Sequence, residues 1–177
     1  MQRYHPLLVV FHWLVAIMVL VALIVGGPGL AELKNSDPQK LTALTGHMIW
    51  GMAIGGLMLA FLAARVFSRK PPHADAGHSA LKVGRRFTHV ALYLLVLAMV
   101  ASGIGIAISA DLFAVASGKP EASLPASFND ISARKIHGFC ATLLLLLIAF
   151  HLCGWAYHQL VLKDRLISRM WFGRRSG

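Results

Sequence analysis

Residues 136–162, IHGFCATLLLLLIAFHLCGWAYHQLVL, form an apolar run long enough to cross a lipid bilayer as one helix. A spanning helix needs about 20 mostly apolar residues. Three further runs meet this requirement, at residues 6–25, 41–64 and 87–110. At 57% hydrophobic and 14% charged residues, the 177-residue chain is also more apolar than soluble proteins. The sequence therefore predicts an all-α integral membrane four-helix bundle, with residues 1–177 as a single transmembrane domain.

The ends of the first apolar run carry signals of their own. Pro6 suits a first helical position, and Gly26-Gly27-Pro28-Gly29 predicts a break after the span. The run is longer than the apolar core of a secretory signal and contains His12 and Trp13, so we expect an uncleaved helix. The last link, Asp111–Lys135, is rich in Ser, Ala, Pro and Gly and predicts either a lid or an irregular turn.

Basic residues predict the orientation of the bundle. Most Lys and Arg residues lie in the N-terminal stub, the middle link and the tail, which share one side of a four-span bundle. They are Arg3, Arg65, Arg69, Lys70, Lys82, Arg85, Arg86, Lys163, Arg165, Arg169, Arg174 and Arg175. Because basic loops favour the inner side, both termini are predicted to be cytoplasmic. The same placement explains the net charge of +10 without a nucleic-acid partner.

Histidine is the residue type that points to function. Six of the nine histidines lie in the apolar runs or at their edges: His12, His47, His89, His137, His151 and His158. An ionisable residue within the membrane is costly, and it is therefore a functional-site hypothesis by default. The ordinary alternative for each is a single hydrogen bond between helices.

The depths of four histidines match in two pairs. His137 and His151 are 14 residues apart, so on a helix they share a face and lie about 21 Å apart along its axis. His12 matches the depth of His151, and His47 matches the depth of His137. Two facing imidazoles are good axial ligands for haem iron, whereas a closed zinc site wants four ligands. The spacing predicts two b haems, one held by His12 and His151 on the cytoplasmic side and one by His47 and His137 on the periplasmic side.

Glycines lie near three of these histidines in sequence: Gly46, Gly51, Gly138 and Gly154. Such small residues leave room for a flat macrocycle, but they are equally common where membrane helices pack closely.

The other two membrane histidines have more than one interpretation. His89 lies near the depth of His12 and His151, so it is an alternative ligand or a hydrogen-bond donor to a haem propionate or a neighbouring helix. His158 lies closer to the cytoplasmic surface. It is either a contact for a quinone head group and a proton donor, or an interfacial histidine in an aromatic belt with Trp155 and Tyr157.

Taken together, these motifs resemble the bacterial cytochrome b561 family. The resemblance rests on His12-Trp13, His47 and the order His137-x13-His151-x6-His158 running into Lys163-Asp164, and it covers nearly the whole chain. It implies a di-haem bundle of the bacterial cytoplasmic (inner) membrane that exchanges electrons with ubiquinone. The best-understood branch is a superoxide oxidase, which passes electrons from periplasmic superoxide to ubiquinone. That branch tends to have a second histidine after the position of His158, where this chain has Gln159.

We therefore expect a superoxide:ubiquinone oxidoreductase. Arg134 and Lys135 lie three and two residues before His137 and would attract an anionic donor, although charges that flank a helix end are also common. His158 and Lys163 are the candidate quinone contacts.

Two other functions remain open from the sequence. One is a cytochrome b anchor subunit that links a dehydrogenase or hydrogenase partner to the quinone pool. The other is a histidine-rich metal-ion transporter, which the lack of Asp and Glu inside the four apolar runs disfavours.

Overall fold

The structure is a computed structural model that describes residues 4–68 and 79–163. The predicted Arg3, the middle-link residues 69–78 and the basic tail after Lys163 lie outside the described residues. The described chain is helical throughout its spans and contains no strand. Its helices are α1 (Pro6–Val21), α2 (Gly27–Glu32), α3 (Pro38–Phe67), α4 (Ser79–Ser109), α5 (Leu112–Ala116) and α6 (Ser132–Ala156). Four long helical segments are apolar enough to cross a membrane, which confirms the predicted fold class.

Two of the spans begin at a proline with a side-chain cap in front of it. α1 begins at Pro6, as predicted, and the Nδ1 of His5 accepts a hydrogen bond from the Leu7 amide. α3 begins at Pro38, and the Asp37 carboxylate accepts from the Gln39 amide at 2.8 Å. Proline fits this position because the first amides of a helix have no partner within it.

The predicted break at Gly26–Gly29 is wrong. After α1 the chain passes through a π-helical turn, Ala22–Gly26, and continues as α2 to Glu32. In the π turn the amide of Gly27 bonds to the carbonyl of Ala22, and Pro28 then falls in the first turn of α2, where its missing amide costs little. Since unpaired backbone groups are costly in lipid, a helix with a shifted register is favoured over a break.

The helices form a bundle with tight and wide seams. α1 packs along α3, α3 along α4, and α4 along α6, whereas within the described chain α6 forms no such close seam with α1 or α3. The α3–α4 seam depends on Gly55, because a Cβ added there would lie 2.9 Å from Val100 Cγ1. A central layer that includes Val19, Ile54 and Leu144 is buried between the helices. Room is therefore left beside α6, the helix that carries two of the predicted ligands.

Large apolar side chains cover the outside of the bundle. Ile17, Leu94 and Leu146 are 56%, 61% and 62% exposed, respectively. Continuous apolar surface of this kind is rare on soluble monomers. The surface is suited to contact with lipid chains.

The two ends of the bundle differ in charge. We call the end with Arg65, Arg85 and Lys163 the basic end, and the end with Asp37 and Asp111 the acidic end. The predicted cytoplasmic location of the basic end stays a prediction.

The last link is folded at the acidic end. It contains α5, whose Leu112 and Val115 are buried, and it is joined to the first link by Asn35, whose amide donates to the carbonyl of Pro125 at 2.7 Å. Asp111 starts this segment in the left-handed region, with φ of 48°. The link between the two spans is thus a docked short helix and turn.

Candidate functional site

The acidic end brings together the histidines of one predicted pair. His47 on α3 and His137 on α6 are half-buried, and their ring centroids lie 6.3 Å apart with an interplanar angle of 73°. Imidazole nitrogens bind a metal at about 2 Å and each ring centroid lies about 1 Å behind its nitrogen, so two rings sharing one metal have centroids about 6 Å apart. The observed spacing suits one metal ion between the two rings.

Each of these rings turns the same edge towards a glycine. A Cβ added at Gly26 would lie 3.3 Å from Nδ1 of His47, and one added at Gly103 would lie 3.5 Å from Cε1 and 3.8 Å from Nδ1 of His137. The Nδ1–Cε1 edges therefore face the neighbouring helices. The Nε2–Cδ2 edges are turned away from them. Gly26 holds this position because the chain stays helical through the π turn instead of breaking at Gly26–Gly29.

His137 also has a hydroxyl partner. The Oγ of Ser102, on α4, lies 3.0 Å from Nδ1 of His137. Ser102 was missed in the sequence, where a serine inside an apolar helix is usually bonded to its own backbone. The sequence offered only its position next to Gly103. That position indicates a contact with His137 because α4 packs on α6.

The basic end brings together three histidines. The rings of His89 and His151 meet edge to face, with centroids 5.2 Å apart, and His12 interacts electrostatically with both. The Nδ1 of His89 lies 2.7 Å from the carbonyl oxygen of Arg85. Because a carbonyl only accepts, His89 donates from Nδ1, and in a neutral imidazole Nε2 then carries no proton. The structure thus places His89 beside the predicted His12–His151 pair, and the choice of ligands among the three stays a prediction.

An arginine and a tyrosine that sequence reasoning missed extend this cluster. The guanidinium of Arg65 lies 5.7 Å from the centroid of the Tyr93 ring, and Tyr93 lies 6.4 Å from the ring of His89. Arginine over an aromatic face is a favourable cation–π arrangement. The spacing of His89 and Tyr93, four residues apart on a helix, was the available signal.

The chain after His151 contains the predicted quinone contacts. His158 is half-buried in a second π turn, Tyr157–Val161, and its ring contacts that of Tyr157 at 6.2 Å. Lys163 is exposed and has a left-handed backbone, with φ of 54°. Next to His158, the side-chain oxygen of Gln159 is buried and accepts no hydrogen bond from any part of the chain that the structure describes. Buried polar atoms are normally paired, so this oxygen has an acceptor capacity that the described residues leave unused.

A family comparison agrees with these features. The family model described as prokaryotic cytochrome b561 matches residues 3–173, nearly the whole chain. The chain belongs to the prokaryotic cytochrome b561 family. Members are membrane proteins that bind b-type haem and transfer electrons, so the resemblance given by the sequence motifs is confirmed. No curated protein and no solved structure matches the chain.

The side chains of this cytochrome fit b-type haem at the acidic end. Haem iron takes its axial ligands from two sides, and His47 and His137 offer two imidazoles at a suitable spacing. Across the described residues, no three His, Cys, Asp or Glu side chains are grouped to hold a bare metal ion. The imidazole pair at this end suits an iron whose other ligands come from a porphyrin.

The glycines named from the sequence behave differently from one another. A Cβ added at Gly46, Gly51 or Gly154 would meet no atom within 4 Å, so these residues are not sites of close helix packing. Gly46 lines a pocket of about 290 Å³ between the first span and α3, together with His47 and Trp50. Gly138 instead lies under the side chain of Arg134, whose Nη1 would be 3.1 Å from an added Cβ.

The basic pair at the acidic end lies on the surface of the cytochrome. Arg134 and Lys135 are exposed in the first turn of α6. The N-terminus of a helix carries a partial positive charge, so the two side chains add to a local positive field.

Proposed function

We propose that this cytochrome is a di-haem superoxide:ubiquinone oxidoreductase of the bacterial inner membrane. His47 and His137 would hold one b haem, and His12 and His151 the other. Bound haems of this type supply one-electron transfer. The observation that carries the proposal is that α6 contributes one histidine to each of two imidazole clusters, which lie at opposite ends of the bundle.

The proposed ligand choice at the basic end rests on the helix arrangement. His89 lies on α4, which packs closely on α6, whereas His12 lies on α1, which forms no close seam with α6 in the described chain. A haem macrocycle needs the wider of the two spaces, which is the one between α1 and α6. His12 and His151 are therefore the proposed ligands, and His89 is proposed as their neighbour, held by the carbonyl of Arg85.

The proposed donor is superoxide at the acidic end. Two superoxide anions are oxidised to two O₂, and one ubiquinone takes up the two electrons and two protons to become ubiquinol. Arg134 and Lys135 would raise the local concentration of the anion, because a positive field steers anions to the surface. Cations at a helix N-terminus oppose the helix dipole, which costs roughly 0.3–1 kcal/mol of stability each. A placement that costs stability supports a functional reason for the two charges.

The proposed acceptor site is at the basic end. His158 and Lys163 would contact the quinone head group, and His158 would deliver protons, because an imidazole can carry a proton to and from a ligand. The buried oxygen of Gln159 supports this location, because it could accept a hydrogen bond from a ubiquinol hydroxyl.

The direct test is stopped-flow mixing of the purified protein with superoxide in the presence of a short-chain ubiquinone. We expect the haem spectrum to change to that of the reduced form. One ubiquinol should then form for every two superoxide anions consumed. Unchanged haem absorbance, in protein that contains its haem and accepts electrons from dithionite, would exclude superoxide as the donor. Co-purification of a dehydrogenase or hydrogenase would then favour the anchor-subunit function.

A further inference from the structure

Ser102 forms a short hydrogen-bonded chain with a proposed haem ligand. It is 9% exposed, and its Oγ lies 3.0 Å from the carbonyl oxygen of Met99 and 3.0 Å from Nδ1 of His137. A hydroxyl has one proton to donate and two lone pairs that accept. The two neighbours therefore compete for a single proton.

The hydrogen bond to the Met99 carbonyl determines which of the two neighbours receives that proton. A carbonyl oxygen only accepts, so the Ser102 proton goes to Met99 and the Ser102 oxygen accepts from His137. An acceptor oxygen 3.0 Å from this ring nitrogen favours a proton on Nδ1. In a neutral imidazole, Nε2 is then the free electron-pair donor.

The direction of the ring agrees with this tautomer. The Nδ1–Cε1 edge of His137 faces Gly103, the residue next to Ser102, so Nε2 is turned away from α4. The opposite ring, His47, has a glycine at the corresponding edge but accepts and donates no hydrogen bond that the described residues show. The hydroxyl contact is thus specific to one ring of the pair.

We propose that Ser102 is a positioning residue, which fixes His137 with its proton on Nδ1 and tunes the haem held at the acidic end. This inference rests on the proposed role of His137 as an axial ligand. An acceptor on the far nitrogen of a ligating histidine orients the ring and raises its basicity. A more basic axial ligand stabilises the ferric state, so the contact lowers the reduction potential of that haem.

The test compares the Ser102→Ala variant with Thr142→Val. Thr142 is a suitable control because it lies on α6 near His137, is exposed, and donates its hydroxyl to the helix carbonyl of Gly138. Spectroscopic redox titration of both haems and the rate of haem transfer to apomyoglobin are measured for each variant. We expect Ser102→Ala to raise the potential of one haem and to increase its loss about tenfold. A tenfold change in the relative stability of the two oxidation states corresponds to about 59 mV for one electron.

Further variants separate this inference from the function on which it rests. Ser102→Thr keeps a hydroxyl and should restore the native potential, and Ser102→Cys, with a weaker acceptor, should give an intermediate value even if the alanine variant is poorly folded. A Ser102→Ala protein that matches Thr142→Val, or one in which both haems shift equally, would overturn the inference. Retention of both haems by His137→Ala would instead overturn the ligand assignment.

Discussion

His47 and His137 lie on different spans, yet their ring centroids are 6.3 Å apart. The Nδ1–Cε1 edge of His47 faces Gly26 on the first span, and that of His137 faces Gly103 on α4. The arrangement leaves the Nε2 edge of each ring clear of those helices. Backbone from the first span and from α4 thereby supports rings that project from α3 and α6. The pair is set up by four segments of the bundle, which is why its geometry depends on residues that are not histidines.

The glycine beside His47 gives the first prediction. Gly26→Val would place carbon atoms against Nδ1 of His47, where even a Cβ is at 3.3 Å, and should weaken haem binding at the acidic end about tenfold or more. Gly51→Val is the matched control, since a Cβ there meets no atom within 4 Å. The haem-to-protein ratio after detergent purification provides the measurement. Equal ratios in the two variants would show that Gly26 has no such role.

The basic residues at the start of α6 give a second prediction. Changing both Arg134 and Lys135 to Gln should slow haem reduction by superoxide about tenfold at low salt, because a steering field is lost. The native rate should fall as ionic strength rises, and the rate of the double variant should depend less on salt. Arg86→Gln, an exposed change at the basic end, is the control and should match the native protein. A double variant with the native rate and salt dependence would contradict the proposed role.

The quinone contacts give a third prediction. Gln159→Leu removes a buried oxygen that has no partner in the described chain, so it should stabilise the quinone-free protein by about 1–3 kcal/mol. The same change should raise the KM for ubiquinone while superoxide still reduces the haems at the native rate. Thermal unfolding and steady-state quinone reduction give the two readouts. Gain of stability with an unchanged KM would place the quinone elsewhere.

His158 is tested in the same assay. His158→Ala should slow ubiquinol formation severalfold at saturating quinone, because a proton donor is removed, and both haems should stay bound. The Leu160→Ala variant is a control on the same π turn with an exposed apolar side chain. Native quinone reduction by fully haem-loaded His158→Ala protein would exclude this residue from the site.

The folded link at the acidic end gives a fifth prediction. Asn35→Ala removes the bond to the Pro125 carbonyl, worth about 1 kcal/mol, and should increase opening of the link about fivefold. Limited proteolysis within residues 117–131 reports this opening. Asn129→Ala, an exposed change in the same link, is the control. Identical cleavage rates would show that Asn35 does not hold the link.

The sequence was sufficient for the parts of the structure that depend on periodicity and depth. The four spans follow from apolar length, and the 14-residue spacing of His137 and His151 places them at opposite ends of one helix because helical rise is constant. The π turn at Ala22–Gly26 was not foreseen, since Gly and Pro normally end a helix in water but are tolerated in lipid.

Contacts between helices were the part that the sequence could not provide. Ser102 and Gly103 reach His137 only because α4 packs along α6, and Arg65 reaches Tyr93 only because α3 packs along α4. No local pattern encodes which helices are neighbours. The closeness of His89 to His151 likewise depends on the α4–α6 seam, so the sequence left His89 as an alternative and the structure places it in contact.

The most direct measurement is the number of haems per polypeptide, from pyridine haemochromogen spectra and quantitative amino-acid analysis, in the native protein and in His137→Ala and His151→Ala. We expect two haems in the native protein and one in each variant, with different reduction potentials for the haem that remains. A native protein without haem, or two haems retained in both variants, would contradict the assignment of one imidazole-bound iron to each end of the bundle.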